Sequence, residues 1–206
     1  AIQRAVDMDG TPGEWNYIVT WDNNLSTTTY IDTNLLPETT YWYRVQAYNF
    51  DEVITAPSQL IAVRTKPAPI SQLIGIAISS DSIHWQWKDN SIVELGYRIY
   101  DYETNNLLQE LPQNTTYWIE SGLMPNSRYA RIVVAYDDTG ESDPVIKYSS
   151  YTLASIPWNT VGEPLTSTSI KLYWQGDGIR YAIQRAVDMD GTPGEWNYIV
   201  TWDNNL

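Results

Sequence analysis

LLPETTYWYRVQAYN (residues 35–49) and GLMPNSRYARIVVAYD (residues 122–137) are the two stretches that decide the fold. They keep five residues in step, namely Leu35/Leu123, Pro37/Pro125, Tyr41/Tyr129, Val45/Val133 and Ala47/Ala135. After the proline, apolar and polar residues alternate, which is typical of a strand with one face buried. The sequence therefore predicts one turn and one following strand that occur twice.

Other parts of the chain show the same alternation. SIHWQW (82–87) and SIKLYW (169–174) each place an isoleucine and a terminal tryptophan on one face. Segments rich in Gly, Asp, Asn and Thr separate these short runs, and no stretch has the helical spacing of apolar residues. The 16 Tyr and 10 Trp, against 1 Phe, suit a pleated, half-buried surface. This pattern predicts an all-β protein, a sandwich or a barrel.

The combined pattern resembles the fibronectin type III domain. The residues that carry the resemblance are Leu-x-Pro-x-Thr/Ser-x-Tyr-x-x-x-Val-x-Ala and the tryptophan-ended strand about 40 residues before it. The resemblance implies tandem immunoglobulin-like β-sandwiches. It further implies that Trp87 and Trp174 pack in the cores, and that Tyr41 and Tyr129 form tyrosine corners whose hydroxyls reach the preceding loop.

A longer repeat runs through the chain, because residues 1–25 are identical to residues 182–206 and set a period of 181 residues. Residues 67–153 contain one full set of strands. Residues 1–66 match the C-terminal part of a domain and residues 154–206 the N-terminal part. Joining 154–181 to 1–66 would make a second domain, so the repeat unit is expected to hold two domains.

Three explanations of the duplicated segment remain open. The chain is part of a covalent array of such repeats, or separate chains complete each other head to tail, or the overlap has an artificial origin. The head-to-tail reading would place two copies of the same hairpin at each junction, where a sandwich has room for one. Short joints with prolines, RTKPAPI (64–70) and LASIPW (153–158), favour a semi-rigid string of domains.

The composition excludes several classes of function. A net charge of −13 disfavours binding to nucleic acid, and no apolar run is long enough for membrane insertion. There is no cysteine and only one histidine, His84, so neither a thiolate site nor a cluster of imidazoles is available. We therefore expect no enzyme activity and no cofactor, and we place the protein outside the cell or at the cell surface.

A possible metal site lies in the turn DMDGTPGE, at residues 188–195 and again at residues 7–14. Its acidic residues Asp188, Asp190 and Glu195 are weak candidates for calcium ligands. The spacing of an EF-hand loop requires glycine at position 6 and glutamate at position 12, and this turn does not meet it. The simpler interpretation is a hairpin turn, since Asp and Gly supply turn geometry.

A possible contact surface lies on the outer face of the middle domain. Alternation places Tyr100, Tyr102, Ile132 and Val134 on that face, next to the apolar residues of VIKY (145–148). Such a face favours contact with other copies of the protein. Ordinary cross-strand pairing and a platform for sugar rings are the alternatives. The matching face of the other domain, around Trp42, is more polar.

These observations predict a structural role, as a segment of an extracellular or cell-surface filament or stalk. Its partners would be other copies of itself, as adjacent repeats or laterally packed chains. The alternative is an adhesin or a carbohydrate-binding accessory module that recognises cell-surface glycans. Two sequons, at Asn24 and Asn114, could carry glycans in a secreted protein.

Overall fold

The computed structural model describes residues 1–23, 25–144 and 147–201. The Asn24 sequon, Val145 and Ile146 of the predicted edge strand, and residues 202–206 of the second repeated segment lie outside the described residues. Apart from a 3-10 turn at Trp21–Asn23, the regular elements are all β-strands. The all-β fold predicted from the alternation is thus confirmed.

The first region forms one antiparallel sheet. Its strands are β1 (Ile2–Met8), β2 (Thr11–Pro12), β3 (Asn16–Val19), β4 (Thr40–Val45) and β5 (Ile61–Arg64). The order is β2-β1-β4-β5, and β3 pairs with β1 as well. The repeated segment therefore begins as a hairpin, and β4 extends it into a sheet.

The middle region contains two sheets. Its strands are β6 (Ser71–Ala77), β7 (Ile83–Lys88), β8 (Gly96–Asp101), β9 (Leu107–Pro112), β10 (Tyr117–Glu120), β11 (Arg128–Asp137), β12 (Gly140–Glu141) and β13 (Lys147–Tyr151). One sheet has the order β10-β7-β6, and the other the order β12-β11-β8-β9 with β13 also on β11. In the family's lettering these are the sheets A-B-E and C′-C-F-G, which is the topology that the resemblance implies.

The core of the middle region lies where alternate residues of these strands turn inward. The largest fully buried side chains are Trp85, Tyr97, Ile83, Ile99 and Val133. Trp87 is also buried, and its ring lies 5.5 Å from that of Tyr97, which joins β7 of one sheet to β8 of the other. Burial of aromatic rings between two sheets supplies the main stabilisation of a sandwich.

In the last region, the strands between residues 154 and 201 form pairs rather than a larger sheet. Its strands are β14 (Trp158–Thr166), β15 (Ser169–Gln175), β16 (Ile183–Arg185), β17 (Asp188–Met189), β18 (Thr192–Pro193) and β19 (Asn197–Val200). They pair as β14-β15, β16-β19 and β17-β18. Trp174, expected in a core, is half-buried here, and its ring lies 5.4 Å from that of Tyr181.

The described chain divides into two compact units. The first comprises Ala1–Ile74, Gln86–Trp118 and Ala130–Ser149, and the second comprises Gly75–Trp85, Ile119–Tyr129 and the described residues from Ser150 onward. The division of the chain into domains at 1–66, 67–153 and 154–206 stays a prediction. Among the described residues, no helix is long and apolar enough to cross a membrane.

Candidate contact surfaces

The two repeated turns hold a tyrosine in the same way. The Tyr41 hydroxyl accepts a hydrogen bond from the Leu36 amide at 3.0 Å, and the Tyr129 hydroxyl accepts one from the Met124 amide at 2.8 Å. Each ring packs inward, and Tyr41 is only 4% exposed. This is the tyrosine-corner geometry that the resemblance implies, and it anchors the loop before each strand.

Each corner also bends the chain through a left-handed residue. Glu38 has φ of 56° and Asn126, the equivalent residue of the second turn, has φ of 47°. Both side chains hydrogen-bond to residues far along the chain, Glu38 to Ile92 and Asn126 to Asp177. Left-handed backbone is costly for residues other than Gly or Asn, and neighbouring contacts must compensate for the cost at Glu38.

At the first joint the side chain of Glu38 reaches the segment before β6 and the loop between β7 and β8. Its carboxylate accepts hydrogen bonds from the Ala68 amide at 2.9 Å and from the Ile92 amide at 3.3 Å. Beside it, Arg64 pairs with Asp137 at 2.7 Å and also with Asp138. Charge-assisted bonds of this kind are shorter and stronger than bonds between neutral groups.

The second joint repeats the arrangement with different residues. The side-chain amide of Asn126 donates a hydrogen bond to the backbone carbonyl of Asp177. The carboxylate of Asp177 in turn accepts hydrogen bonds from the Ser155 backbone amide at 2.7 Å and from the Ser155 hydroxyl at 2.9 Å. In both joints the corner residue reaches the loop that follows the tryptophan strand, at Ile92 or at Asp177. The sequence pointed to these joints only through their prolines, and it did not single out Glu38, Asn126 or Asp177.

The outer face of the C′-C-F-G sheet is charged and aromatic rather than apolar. Arg98 pairs with Glu141 at 3.0 Å and with Glu110 at 3.4 Å, and it stacks over the Tyr136 ring at 4.1 Å. Tyr100 donates to Glu141 at 2.5 Å. Burial raises the pKa of Glu141, but hydrogen bonds from Tyr100 and Arg98 outweigh it and hold that pKa below its usual value.

The prediction of an open apolar face is wrong for Val134, which is only 3% exposed. Val134 lies opposite Arg98 on the neighbouring strand. The Arg98–Glu141 ion pair joins β8 to β12 and therefore passes over β11, which lies between them and carries Val134. The aliphatic stem of an arginine held in this way excludes water from the residue beneath it.

The other residues expected on that face differ in exposure. Ile132 is half-buried opposite Tyr100, whereas Tyr102 is exposed. Lys147 lies over the Tyr102 ring at 4.0 Å and donates to its hydroxyl at 2.8 Å. Even with this contact, Tyr102 is 38% exposed.

The corresponding face of the first region is organised around Trp42. Its indole nitrogen donates to the Asp7 carboxylate at 2.6 Å, and Trp42 itself is half-buried. Arg44 donates to Gln3 at 2.7 Å and stacks over the Trp15 ring at 4.2 Å. This face is polar, as its sequence indicates.

In the acidic turn, an aspartate side chain accepts a hydrogen bond from the backbone of the turn itself. The carboxylate of Asp188 accepts a hydrogen bond from the Gly191 amide at 3.3 Å, and Asp190 occupies the left-handed region with φ of 54°. In the described part of the chain, no three His, Cys, Asp or Glu residues gather as a metal site would require, so Asp188, Asp190 and Glu195 are not brought together as ligands. Asn114 is exposed in another turn, with φ of 61°.

An unfilled apolar surface lies on the inner face of the first sheet. Val45, Ile61 and Val63 are exposed by 48%, 57% and 54% respectively, although alternation directs them inward. With Ile2, Tyr43 and residues 27–32 they line a cavity of about 550 Å³. The sequence does not single out this surface as a site, although it implies that residues 1–66 are only part of a domain.

No protein-family model matches the chain. The receptor-type tyrosine-protein phosphatase eta of Gallus gallus is 28% identical over 150 residues, which are 71% of this chain and 10% of that protein. Exoglucanase B of Cellulomonas fimi is 24% identical over 201 residues, which are 85% of this chain and 18% of that protein. The chain thus spans only a tenth to a fifth of these relatives.

The solved structures that resemble the chain are consistently fibronectin type III domains. A two-domain segment of chicken tenascin is 17% identical, with a TM-score of 0.43, and the match covers 73% of this chain and 82% of that one. A domain of human collagen alpha-1(XX) is 18% identical with a TM-score of 0.40, covering 45% of this chain and 92% of that one. The strand order, the tyrosine corner of Tyr129 and the buried Trp87 give the middle region the fold of a fibronectin type III β-sandwich, and Tyr41 forms a second corner of the same kind.

Proposed function

We propose that this chain is a structural repeat segment of an extracellular or cell-surface filament or stalk, which works through contacts between copies and has no catalytic role. The observation that carries the proposal is the pair of equivalent joints at Glu38 and Asn126. A molecule that spans distance needs joints that resist bending, and hydrogen bonds from a corner to the next domain supply that resistance. Sandwiches of this kind are common in cell-surface proteins.

Solution scattering tests the stiffness of the first joint. We expect Glu38→Ala to broaden the distribution of interatomic distances, because the Ala68 and Ile92 amides lose their shared carboxylate acceptor. The matched control is Glu103→Ala, which removes an exposed acid from the turn between β8 and β9. Indistinguishable profiles for the two variants would contradict a stiffening role of the joint.

The mass of the native protein tests the covalent form of the proposal. If the repeats are joined in one chain, a denaturing gel or intact-mass measurement on native material should show a species at least one 181-residue period longer than this chain. A single sharp species with the mass of 206 residues would exclude a covalent array. Copies would then have to meet by non-covalent contacts alone.

A carbohydrate-binding or adhesive module is the second candidate. Its support is the similarity to an exoglucanase and the presence of exposed aromatic rings, such as Trp158 at 46% and Trp196 at 57%. Aromatic rings present flat apolar faces on which sugar rings can stack. Polysaccharide pull-down that is lost in Trp158→Ala and kept in Tyr117→Ala, another substitution of an exposed aromatic residue, would favour this function over the stalk.

A further inference from the structure

The A-B-E sheet of the middle domain, formed by β6, β7 and β10, has isoleucines on its outer face. Ile76 of β6 is 47% exposed, Ile78 directly after that strand is 49% exposed, and Ile119 of β10 is 48% exposed. On the same strands Leu73 and Glu120 are buried. Because successive side chains of a strand point to opposite sides, the isoleucines are directed to solvent.

The pairing of β6 with β7 brings two of these isoleucines to the only histidine of the protein. The Ile78 amide donates to the Ser82 carbonyl at 3.1 Å, which sets the register of this hairpin. Two residues further from the turn, the same register places Ile76 opposite His84. Both of these side chains lie on the outer face of the sheet.

The third isoleucine comes from the strand on the other side of β7. The Trp85 indole donates to the Glu120 carboxylate at 2.9 Å on the inner face of the sheet. The residues just before these two, His84 and Ile119, therefore share the outer face. We call this surface the isoleucine face, and it consists of Ile76, Ile78, His84 and Ile119.

The isoleucine face differs in charge from most of the protein. Among the described residues of β6, β7 and β10, no acidic side chain points outward, although the protein has 25 acidic and 12 basic residues. On β7 the outward residues are His84, Gln86 and Lys88. The outer face of the opposite sheet carries Glu110 and Glu141. Since copies with a net charge of −13 repel each other where acids meet, a face without acids is the least costly to bring together.

The side chains of the isoleucine face indicate an apolar protein surface as its partner. Branched aliphatic groups offer neither a flat ring for stacking on sugars nor a charge for an ionic ligand. Two β-sheets pack through such side chains at a separation of about 10 Å. A contact between the same face of two copies meets these conditions with one surface.

We infer that the isoleucine face binds the isoleucine face of a second copy of this repeat, so that stalks pack side by side. This inference rests on the proposed function and places the lateral contact on the sheet opposite to the one that the sequence predicts. Three half-exposed isoleucines supply on the order of a few hundred Å², less than the roughly 800 Å² per partner of a stable complex. A single contact is therefore weak, and contacts repeated every 181 residues add up along a stalk.

Sedimentation equilibrium of the full 206-residue chain, at increasing concentration, tests the contact through the self-association constant. Ile119→Glu places a carboxylate within the isoleucine face. The matched control Leu108→Glu adds the same charge on the opposite sheet, where Leu108 is 38% exposed. We expect Ile119→Glu to lower the constant at least about tenfold, because like charges would then face each other, and Leu108→Glu to lower it less than about twofold.

Chemical cross-linking locates the contact independently, because the protein has no cysteine of its own. His84→Cys puts a thiol within the isoleucine face, and the control Ile132→Cys puts one at a half-buried position on the outer face of the opposite sheet. A short bismaleimide that spans about 10 Å bridges two packed sheets. We expect at least about fivefold more cross-linked dimer from His84→Cys than from Ile132→Cys.

Three results would each overturn the lateral contact: a chain that stays monomeric, equal self-association of the two glutamate variants, or equal cross-linking of the two cysteine variants. The scattering experiment on Glu38 is made on dilute, separate chains and does not depend on any of them. The stiffness of the stalk and the lateral contact can therefore fail separately.

Discussion

The same 25 residues occur twice in this chain, and the described residues of the two copies share their strand pairing but not their environment. In the first copy Ile2 pairs with Val19 and Gln3 with Tyr17, and in the second Ile183 pairs with Val200 and Gln184 with Tyr198. The register shifts at the same place in both. The backbone conformation of this hairpin is therefore set by its own sequence.

Burial separates the copies. In the first, β4 lies beside β1, and Gln3 is only 8% exposed, whereas its counterpart Gln184 is exposed. Val6 is 50% exposed and its counterpart Val187 is 73% exposed. A hairpin can therefore form from local sequence signals, whereas the neighbouring strand determines which of its faces is buried.

The largest difference between the copies is expected for removal of a buried isoleucine. Ile2 is 7% exposed and paired with β4, so Ile2→Ala should lower the local free energy of opening by about 2–4 kcal/mol. The same change at half-buried Ile183 should cost less than about 1 kcal/mol, because little packing is lost. Hydrogen exchange of the strand amides measures both, and equal losses would contradict the comparison.

Alkaline pH should loosen the sheet that holds the first copy. Burial, with a hydrogen bond to Asp32, raises the pKa of Tyr43 from 10.0 to about 12. The unfolded state thus loses this proton first, so stability is full below pH 10 and falls as the pH rises towards 12. In Tyr43→Phe this part of the alkaline loss should disappear. If the pH profile of strand-amide exchange in this variant matched that of the unmodified protein, Tyr43 would not be the source of the alkaline loss of stability.

A smaller difference is expected at the aspartate that begins the turn. Asp7 accepts hydrogen bonds from both the Trp42 indole and the Gly10 amide, so Asp7→Asn should cost about 1–2 kcal/mol. Asp188 accepts the Gly191 amide at 3.3 Å, and Asp188→Asn should cost only a few tenths of a kcal/mol. Exchange rates of the two turns compare these values directly. A larger loss at Asp188 would be the contrary result.

No difference is expected at the glycine of the turn. Gly10 and Gly191 both have φ of +86°, and the space around each is open. Gly10→Ala and Gly191→Ala should therefore each cost about 1 kcal/mol, through the left-handed backbone alone. Hydrogen exchange of the turn amides, measured in the two variants, gives the loss of stability at each turn. Unequal losses of stability would show that the turns are not governed by local structure alone.

The sequence predicts those residues whose role depends on a repeated local pattern. The Leu-x-Pro turn led to Tyr41 and Tyr129, whose hydroxyls accept amides at equivalent positions. It failed for Val134, because alternation reports which face a residue is on but not which long side chain lies across that face. It also missed Glu38 and Asp177, which matter only through partners distant in sequence.

The sequence by itself determined that the chain is all-β, where its turns lie, and that one hairpin occurs twice, since alternation and turn residues act over a few neighbouring positions. Only the tertiary structure determined which side chains cover those strands and which faces stay exposed. The burial of Val134 beneath the Arg98–Glu141 pair, the joints at Glu38 and Asn126, and the open face beside Val63 all arise from side chains far apart in sequence. Packing and ion pairing depend on that assembled geometry, which no local pattern contains.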